Sequence, residues 1–283
     1  MHRLHSLVEA RHYAQLIRRF IAVCTLGAVM TIPAVSAVDD GPFAAPVANP
    51  LEGRIGTMVQ FGVKHLRLDI GATVDVMNPL DDTASGRLRI GADFFTFTRL
   101  RSEGNFKFPV ETSDYFFGLN ATYALPSSPL HARLRIAHIS SHLVDGYADG
   151  EGVFTRQAPF VYSREFVELI AGYHIGSIRP YAGFTWLFAT QPKRADRVIP
   201  QAGVDVRQHI GGPFHLRGGF DWKLVGIDGT YATAQAAQLG VFFDGWNGRG
   251  LMLSIYGYNG RSMHGMFFDQ NDRYLGLGFQ VVW

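Results

Sequence analysis

Two histidines and a serine occupy alternate positions near the end of one predicted strand. Residues 130–145 begin with alternating apolar and polar side chains, and His138, Ser140 and His142 fall where the next apolar residues would be. Side chains in a strand alternate between its two faces with a period of two. These three polar side chains are therefore predicted on the face that is apolar just before them.

A histidine and a serine on one face of a strand are the residue types of a hydrolytic site. A serine becomes a nucleophile when a histidine takes its proton and an acid orients that histidine. His138 and Ser140 are about 7 Å apart along a strand. In the next predicted strand, Glu165 alternates with apolar residues and so lies on the apolar face. A hairpin symmetric about its loop would place Ser140 opposite Glu165, so these three residues are the predicted catalytic set. The alternates are His142, Ser141 and Asp145.

These residues belong to a series of about twelve predicted strands, most of them about ten to thirteen residues long. Transmembrane strands have about 9–11 residues, whereas strands of soluble proteins average about five or six. The last stretch alternates apolar residues up to the final position, as in the C-terminal membrane-insertion signature of outer-membrane barrels. Its members are Leu275, Leu277, Phe279, Val281 and Trp283.

Charged residues recur on the strand face opposite the apolar one, as expected for the polar lumen of a transmembrane barrel. The residues predicted to line this lumen are Arg133, Arg135, Arg217, Asp221 and Lys223. In lipid every backbone polar group must be paired, so such strands have to close on themselves. The predicted fold is an all-β, antiparallel up-and-down transmembrane barrel. A secreted β-sandwich or soluble barrel is the alternative, but it would have shorter strands.

The first 37 residues are predicted to be a signal peptide. Arg18 and Arg19 precede an apolar run that Pro33 ends, and the small residues up to Ala37 form a cleavage site. An uncleaved anchor helix is the alternative. The single cysteine, Cys24, lies within this segment, so the exported chain would contain no disulfide. A Pro-rich periplasmic lead-in at 38–53 and the barrel at 54–283 complete the predicted organisation.

The composition excludes two broad classes of protein. With 47% hydrophobic residues and a net charge of +2, the chain resembles neither a disordered protein nor a dedicated nucleic-acid binder. If the last residue lies at the periplasmic end, the longer loops are external, and Ser140 lies near the outer-leaflet boundary. The expected partners are outer-membrane lipid, lipopolysaccharide at the basic stretch 191–197, and the barrel-assembly machinery through the C-terminal strand. The oligomeric state does not follow from the sequence.

The loop after the histidine-containing strand is acidic. Asp145, Asp149 and Glu151 offer the oxygen ligands that calcium prefers, although a solvated loop explains them equally well. Apart from this calcium hypothesis, we expect no metal or other cofactor.

Two stretches carry a family resemblance. HISSHLVDG at 138–146, followed by YSREFVEL at 162–169, resembles a family of bacterial outer-membrane proteins known only as a domain of unknown function. The resemblance spans most of the predicted mature chain. It implies a barrel in the outer membrane and implies no activity.

A more local resemblance concerns the His-x-Ser pair itself. His138 and Ser140 are arranged as in outer membrane phospholipase A and in lipid A 3-O-deacylase, both barrels with such a pair on the lipid-facing wall. The deacylase adds a glutamate from a neighbouring strand, which Glu165 matches. The phospholipase uses an asparagine, and its Asn-Gly after the serine is replaced here by Ser141-His142.

These local resemblances imply a serine esterase that acts on acyl esters of phospholipid or lipid A. The alternative is a non-enzymatic barrel, either structural or a narrow channel with a charged lumen. In that case the histidines would contact lipid headgroups, or a local bulge would return them to the lumen. About twelve strands leave little space beside long paired side chains, which favours a plugged interior over a wide pore.

Overall fold

The computed structural model describes residues 41–82, 84–246 and 249–282. Twelve antiparallel strands in these ranges close into a barrel, in which neighbours in sequence pair and the last strand pairs with the first. This confirms the predicted all-β up-and-down barrel. The predicted signal peptide at 1–37 and the terminal Trp283 lie outside the described residues.

The strands are longer than the sequence pattern predicts. Apart from the first strand, which has 7 residues, they contain 12 to 18 residues. The apolar alternation reports only the part of each strand that faces lipid, whereas the hydrogen-bonded ladder continues through polar residues at the rims. The strands are β1 Ile55–Phe61, β2 His65–Asp82, β3 Gly86–Arg101, β4 Val110–Ala124, β5 Leu130–Leu143, β6 Tyr162–Tyr173, β7 Ile178–Gln191, β8 Val198–Gly211, β9 Phe214–Ile227, β10 Thr230–Trp246, β11 Arg249–Arg261 and β12 Asn271–Val282.

Two short 3-10 turns, Asp145–Tyr147 and Gly265–Phe267, interrupt the loops after β5 and β11. No helix in the described ranges is long and apolar enough to cross a membrane. All the longer connections, after β3, β5, β7 and β11, lie at the end of the barrel opposite to the chain's entry into β1.

Strand β5 shows how the alternation separates the two faces of the wall. The side chains of Leu134 and Ile136 point outward, and these residues are 50% and 51% exposed. Arg133 and Arg135 point inward and are only 4% and 1% exposed. An apolar exterior and a charged interior are the arrangement that a barrel needs in lipid.

The interior of the barrel is occupied by the segment before β1. Glu52 accepts hydrogen bonds from Arg133 at 2.5 and 2.9 Å and from Arg135 at 3.1 Å. Asn49 accepts one from Lys223 at 2.6 Å. Residues 43–54 thus pack against the lumen-facing charges, so most of the segment expected to be a lead-in lies inside the barrel.

The loop between β11 and β12 closes the opposite end of the lumen. Asp114 on β4 accepts hydrogen bonds from Nδ1 of His264 at 2.6 Å and from the backbone N–H of Gly265 at 2.8 Å. Ser141 on β5 accepts one from the backbone N–H of Met266 at 3.0 Å. The Arg99 guanidinium lies 3.7 Å from the centre of the Phe267 ring, and the loop joins the aromatic core of the barrel.

A cavity of about 100 Å³ remains between these two inserted segments. Its walls include Leu51 from the N-terminal side and Met263 and Phe268 from the β11–β12 loop. The two inserted segments and the lumen-facing side chains thus pack against one another around this cavity.

Candidate active site

The predicted nucleophile and base lie on the outward face of the barrel. His138 and Ser140 are half-buried side chains on β5, in line with the lipid-facing Leu134 and Ile136. Ser141, which directly follows Ser140, is buried and faces the lumen. β5 has no bulge at this point in its pairing with β4 or β6, so the period-two alternation continues to the end of the strand.

The pairing between β5 and β6 differs from the expected one by two residues. His138, rather than Ser140, lies opposite Glu165, and Ser140 lies opposite Ser163. The expectation of a hairpin symmetric about its loop was wrong. His142 and Leu143 at the end of β5 pair only with β4. The 3-10 turn at Asp145–Tyr147 follows shortly after them in the chain, at the beginning of the β5–β6 loop.

The observed register brings the predicted base, His138, and the predicted acid, Glu165, into direct contact. Nδ1 of His138 lies 2.8 Å from Oε1 of Glu165, and the side chains are 38% and 31% exposed. Because a carboxylate only accepts hydrogen bonds, Nδ1 donates and the lone pair of the neutral imidazole lies on Nε2. This tautomer is the one that a general base next to a serine requires.

A second hydroxyl that the sequence analysis missed also contacts the acid. Ser163 donates a hydrogen bond of 2.5 Å to Oε1 of Glu165. Ser163 lies two residues before Glu165 on β6, so both side chains point outward. This spacing is visible in the sequence and could have identified Ser163 as a neighbour of the acid. Ser140 lies directly across the ladder from it.

Aromatic rings on β4 flank the outward polar residues. The ring of Phe117 stacks on His138 with centroids 6.1 Å apart. Tyr115 pairs with Ser140 in the β4–β5 ladder, and its ring centroid lies 5.8 Å from that of His142. Phe117 therefore limits the orientation of the imidazole from one side, while Glu165 holds it from the other.

The arrangement leaves two atoms available for chemistry. Among the described residues, neither Nε2 of His138 nor the hydroxyl of Ser140 has a hydrogen-bond partner. Among the described residues, the predicted base His138 contacts the predicted acid Glu165, whereas His138 and the predicted nucleophile Ser140 form no hydrogen bond. Such contacts often form only when substrate is bound.

The alternates predicted from the sequence occupy different places. Ser141 and Asp145 do not join His138, because Ser141 faces the lumen and Asp145 bonds to the backbone N–H of Gly146 at 2.9 Å. His142 shares the outward face, but its ring packs against Tyr115 and has no acid partner among the described residues.

The acidic loop is organised by its own backbone. Asp149 accepts hydrogen bonds from the backbone N–H groups of Glu151 at 3.0 Å and of Val153 at 2.9 Å. The described ranges contain no cluster of three or more His, Cys, Asp or Glu side chains placed to hold a metal ion. The structure therefore does not bring Asp145, Asp149 and Glu151 together as calcium ligands.

The predicted lumen residues lie on the inner face of the wall. They are Arg133, Arg135, Arg217, Asp221 and Lys223. Asp221 accepts hydrogen bonds from Tyr181 at 2.8 Å and from Gln201 at 2.5 Å. The guanidinium of Arg217 lies 4.1 Å from the centre of the Phe242 ring. These side chains contact other lumen groups, and Arg135, Asp221 and Lys223 also line the cavity described above.

Other predicted surface features have the following positions. On β12, an outward row of half-exposed side chains comprises Leu275, Leu277, Phe279 and Val281. In the stretch 191–197, which was expected to be external, Arg194 forms ion pairs with Asp228 at 2.8 Å and Asp269 at 2.9 Å. Lys193, Arg194 and Arg197 are all exposed.

Comparisons with known proteins establish the type of barrel. A family model described as "Protein of unknown function (DUF1207)" matches residues 59–283. Among solved structures, outer membrane phospholipase A from Escherichia coli is 13% identical, with a TM-score of 0.51 over 86% of this chain and 93% of that chain. The Salmonella typhi outer membrane phospholipase, a dimer with bound calcium, is 10% identical, with a TM-score of 0.51 over 82% and 93%.

No curated protein matches this sequence. At the identities found for the solved structures, the likeness shows a shared fold of the outer-membrane barrel type and does not extend to activity.

Proposed function

Since the chain belongs to the DUF1207 family, whose function is unknown, we propose from its own geometry that it is a serine esterase of the bacterial outer membrane. Its substrates are acyl esters of outer-leaflet lipid, either phospholipid or lipid A. The observation that carries the proposal is the 2.8 Å contact between His138 and Glu165 beside Ser140 on the outward wall.

Ser140 is the nucleophile, His138 is the base and then the acid, and Glu165 stabilises the charged imidazole. The hydroxyl of Ser140 attacks the ester carbonyl and transfers its proton to Nε2 of His138, while Glu165 stabilises the resulting imidazolium. The imidazolium then protonates the departing alcohol, which leaves an acyl group on Ser140. Water, deprotonated by the same imidazole, releases the fatty acid and regenerates the serine. The net reaction consumes one ester and one water and yields one acid and one alcohol.

The height of the site supports a lipid substrate. A strand tilted by about 40° rises about 2.6 Å per residue along the membrane normal. The ten-residue step from Leu130, the lowest outward apolar residue of β5, to Ser140 therefore rises about 26 Å. The apolar band of outer-membrane barrels is about 25 Å tall. Ser140 lies at the upper edge of this band, where the ester bonds of outer-leaflet lipids also lie.

The polarity of the wall changes at the same height. Ile136 and Val167 form the last apolar pair across β5 and β6, and the next outward pair is His138 with Glu165. An ionisable pair is costly at the centre of a bilayer, but the cost falls to about 0–1 kcal/mol near the interface. This position therefore keeps the pair accessible to both lipid and water.

A reconstitution experiment tests the proposal. The full-length protein is inserted into liposomes of phospholipid, with or without lipid A, and the fatty acids released are measured. We expect Ser140→Ala to lower the release by about a thousandfold or more. Ser141→Ala, one residue away but facing the lumen, serves as the matched control and should retain activity. Equal release by wild type and Ser140→Ala, or none by wild type on either lipid, would refute the esterase.

A non-enzymatic barrel is the second candidate, and the packed lumen supports it over a channel. In this case His138 and Glu165 would contact lipid headgroups without turnover. Planar-bilayer recordings distinguish the two forms of this candidate, because a closed barrel should show no steady conductance. The outward row on β12 is proposed as the contact for the assembly machinery, and exposed Lys193 and Arg197 for lipopolysaccharide phosphates.

A further inference from the structure

Two donors converge on one carboxylate oxygen of the candidate acid. Oε1 of Glu165 lies 2.5 Å from the hydroxyl of Ser163 and 2.8 Å from Nδ1 of His138. Ser163 and Glu165 are alternate residues of β6, so both side chains project from the same face. The three groups form one chain of contacts across the β5–β6 ladder.

A partly exposed glutamate side chain keeps one orientation only when specific contacts hold it there. The Glu165 side chain is 31% exposed and has several rotatable bonds, so ordering it costs up to about 1.5–2 kcal/mol of conformational entropy. On its β7 side Glu165 faces Ala189, whose methyl group offers no hydrogen bond. The pairing shifts by one residue there, between Ala189 and Leu187, which leaves Phe188 as a bulge.

Within the described ranges, the Glu165 carboxylate therefore has two side-chain donors, His138 and Ser163. If Ser163 were absent, the imidazole would be the only described side chain left to hold the acid. The carboxylate could then turn toward water, and His138 would lose the partner that fixes its tautomer. The hydroxyl of Ser163 opposes this rotation because it binds the same oxygen from the strand on which Glu165 lies.

We propose that Ser163 is a positioning residue for the esterase reaction, and this inference rests on the proposed function. Its hydroxyl holds Glu165 against Nδ1 of His138, which keeps the proton on Nδ1 and the lone pair of Nε2 available to Ser140. Ser163 acts through Glu165 and does not touch the reacting ester bond.

The geometry also assigns different roles to Ser140 and Ser163, which face each other across the ladder. Ser163 donates to the acid, so its proton points at a carboxylate and not at the base. Ser140 lies two residues from His138 on the same face, and its hydroxyl is uncommitted among the described residues. A nucleophile has to donate its proton to the base, which assigns that role to Ser140 and the supporting role to Ser163.

Two variants distinguish positioning from a general structural contribution. Ser163→Ala removes the hydroxyl, whereas Ser163→Thr retains it and adds one methyl on an outward, half-buried position. We expect Ser163→Ala to lower kcat by about tenfold to a hundredfold with little change in KM, because a hydrogen bond to a charged group is lost. Ser163→Thr should recover most of the wild-type kcat.

A second measurement does not depend on turnover. In protein labelled with ¹⁵N-histidine and held in lipid nanodiscs, the Nδ1 proton of His138 should give a downfield resonance that His138→Gln removes. We expect this resonance to broaden or move upfield in Ser163→Ala and to stay in place in Ser163→Thr and Ser140→Ala.

The outcomes separate the two hypotheses. A wild-type kcat and an unchanged resonance in Ser163→Ala would overturn the positioning role while leaving the esterase intact. If wild-type protein releases no fatty acid, the esterase fails and Ser163 has no reaction to support. In that case a changed resonance in Ser163→Ala would show the contact to be structural only.

Discussion

Glu52 is the main ionic anchor of the segment inside the barrel, and its removal gives a quantitative test of the packed lumen. Its carboxylate receives three hydrogen bonds from Arg133 and Arg135, and all three side chains are buried. Hydrogen bonds to charged groups contribute about 1.5–3 kcal/mol each. The sum overstates the loss in Glu52→Ala, because Arg133 keeps Glu168 and Arg135 keeps Asp93, each at 2.8 Å.

We therefore expect Glu52→Ala to lower the free energy of unfolding by about 3–5 kcal/mol, the range for breaking a buried ion pair. Glu103→Ala is the matched control, because the Glu103 carboxylate pairs with Arg101 at 2.7 Å in an exposed position. Exposed pairs contribute at most about 1 kcal/mol. The assay is urea unfolding in detergent micelles, followed by tryptophan fluorescence, with bilayer conductance as a second readout of lumen opening.

The pH dependence of the same variant provides an internal check. Burial opposes the charged form of Glu52, but Arg133 and Arg135 outweigh it and hold the pKa of Glu52 below its usual value. The stabilisation is thus complete above about pH 4.3, the ordinary value for glutamate, and declines as the pH falls toward the lowered pKa. The difference between wild type and Glu52→Ala should shrink in acid. A difference no larger than that of Glu103→Ala at pH 7 would refute the anchoring role.

Three further substitutions test the site and the external loop. Glu165→Gln should lower kcat by about a hundredfold or more in the fatty-acid release assay, because the amide no longer stabilises the His138 imidazolium. His142→Ala should leave the release rate within about twofold, and a larger loss would assign the base to His142. Asp114→Asn weakens the two buried hydrogen bonds that Asp114 accepts from His264 and Gly265 in the 262–270 loop, so limited proteolysis should cut that loop faster than in wild type. Equal cleavage would show that these two hydrogen bonds do not hold the loop in place.

The period-two pattern was sufficient to predict the barrel and the outward position of His138 and Ser140. Apolar residues such as Leu134 and charged ones such as Arg133 separate onto two faces, and this separation depends only on strand geometry. The register between β5 and β6 could not be predicted in the same way. It depends on how the 144–161 loop folds, and parity alone does not distinguish shifts of two residues.

The sequence pattern also did not predict which residues occupy the lumen. The run at 43–54 is rich in proline and alanine and has no strand or helix period, so all but its last residue was assigned to the periplasmic lead-in at 38–53. Its position depends on contacts distant in sequence, such as Glu52 with Arg133. Ser163 was missed for a simpler reason. Its shared parity with Glu165 is visible in the sequence, but parity does not show that the two side chains are in contact.

The segment inside the barrel constrains the order of assembly. Residues 43–54 precede β1, and β1 completes the wall by pairing with β12, the most C-terminal of the described strands. Inserting this charged segment into a barrel that is already closed, and whose far end is occupied by the β11–β12 loop, would be difficult. We therefore expect the ion pairs of Glu52 with Arg133 and Arg135 to form on the open sheet, before β1 and β12 meet. The N-terminal segment would then serve as an internal template around which the remaining strands curl.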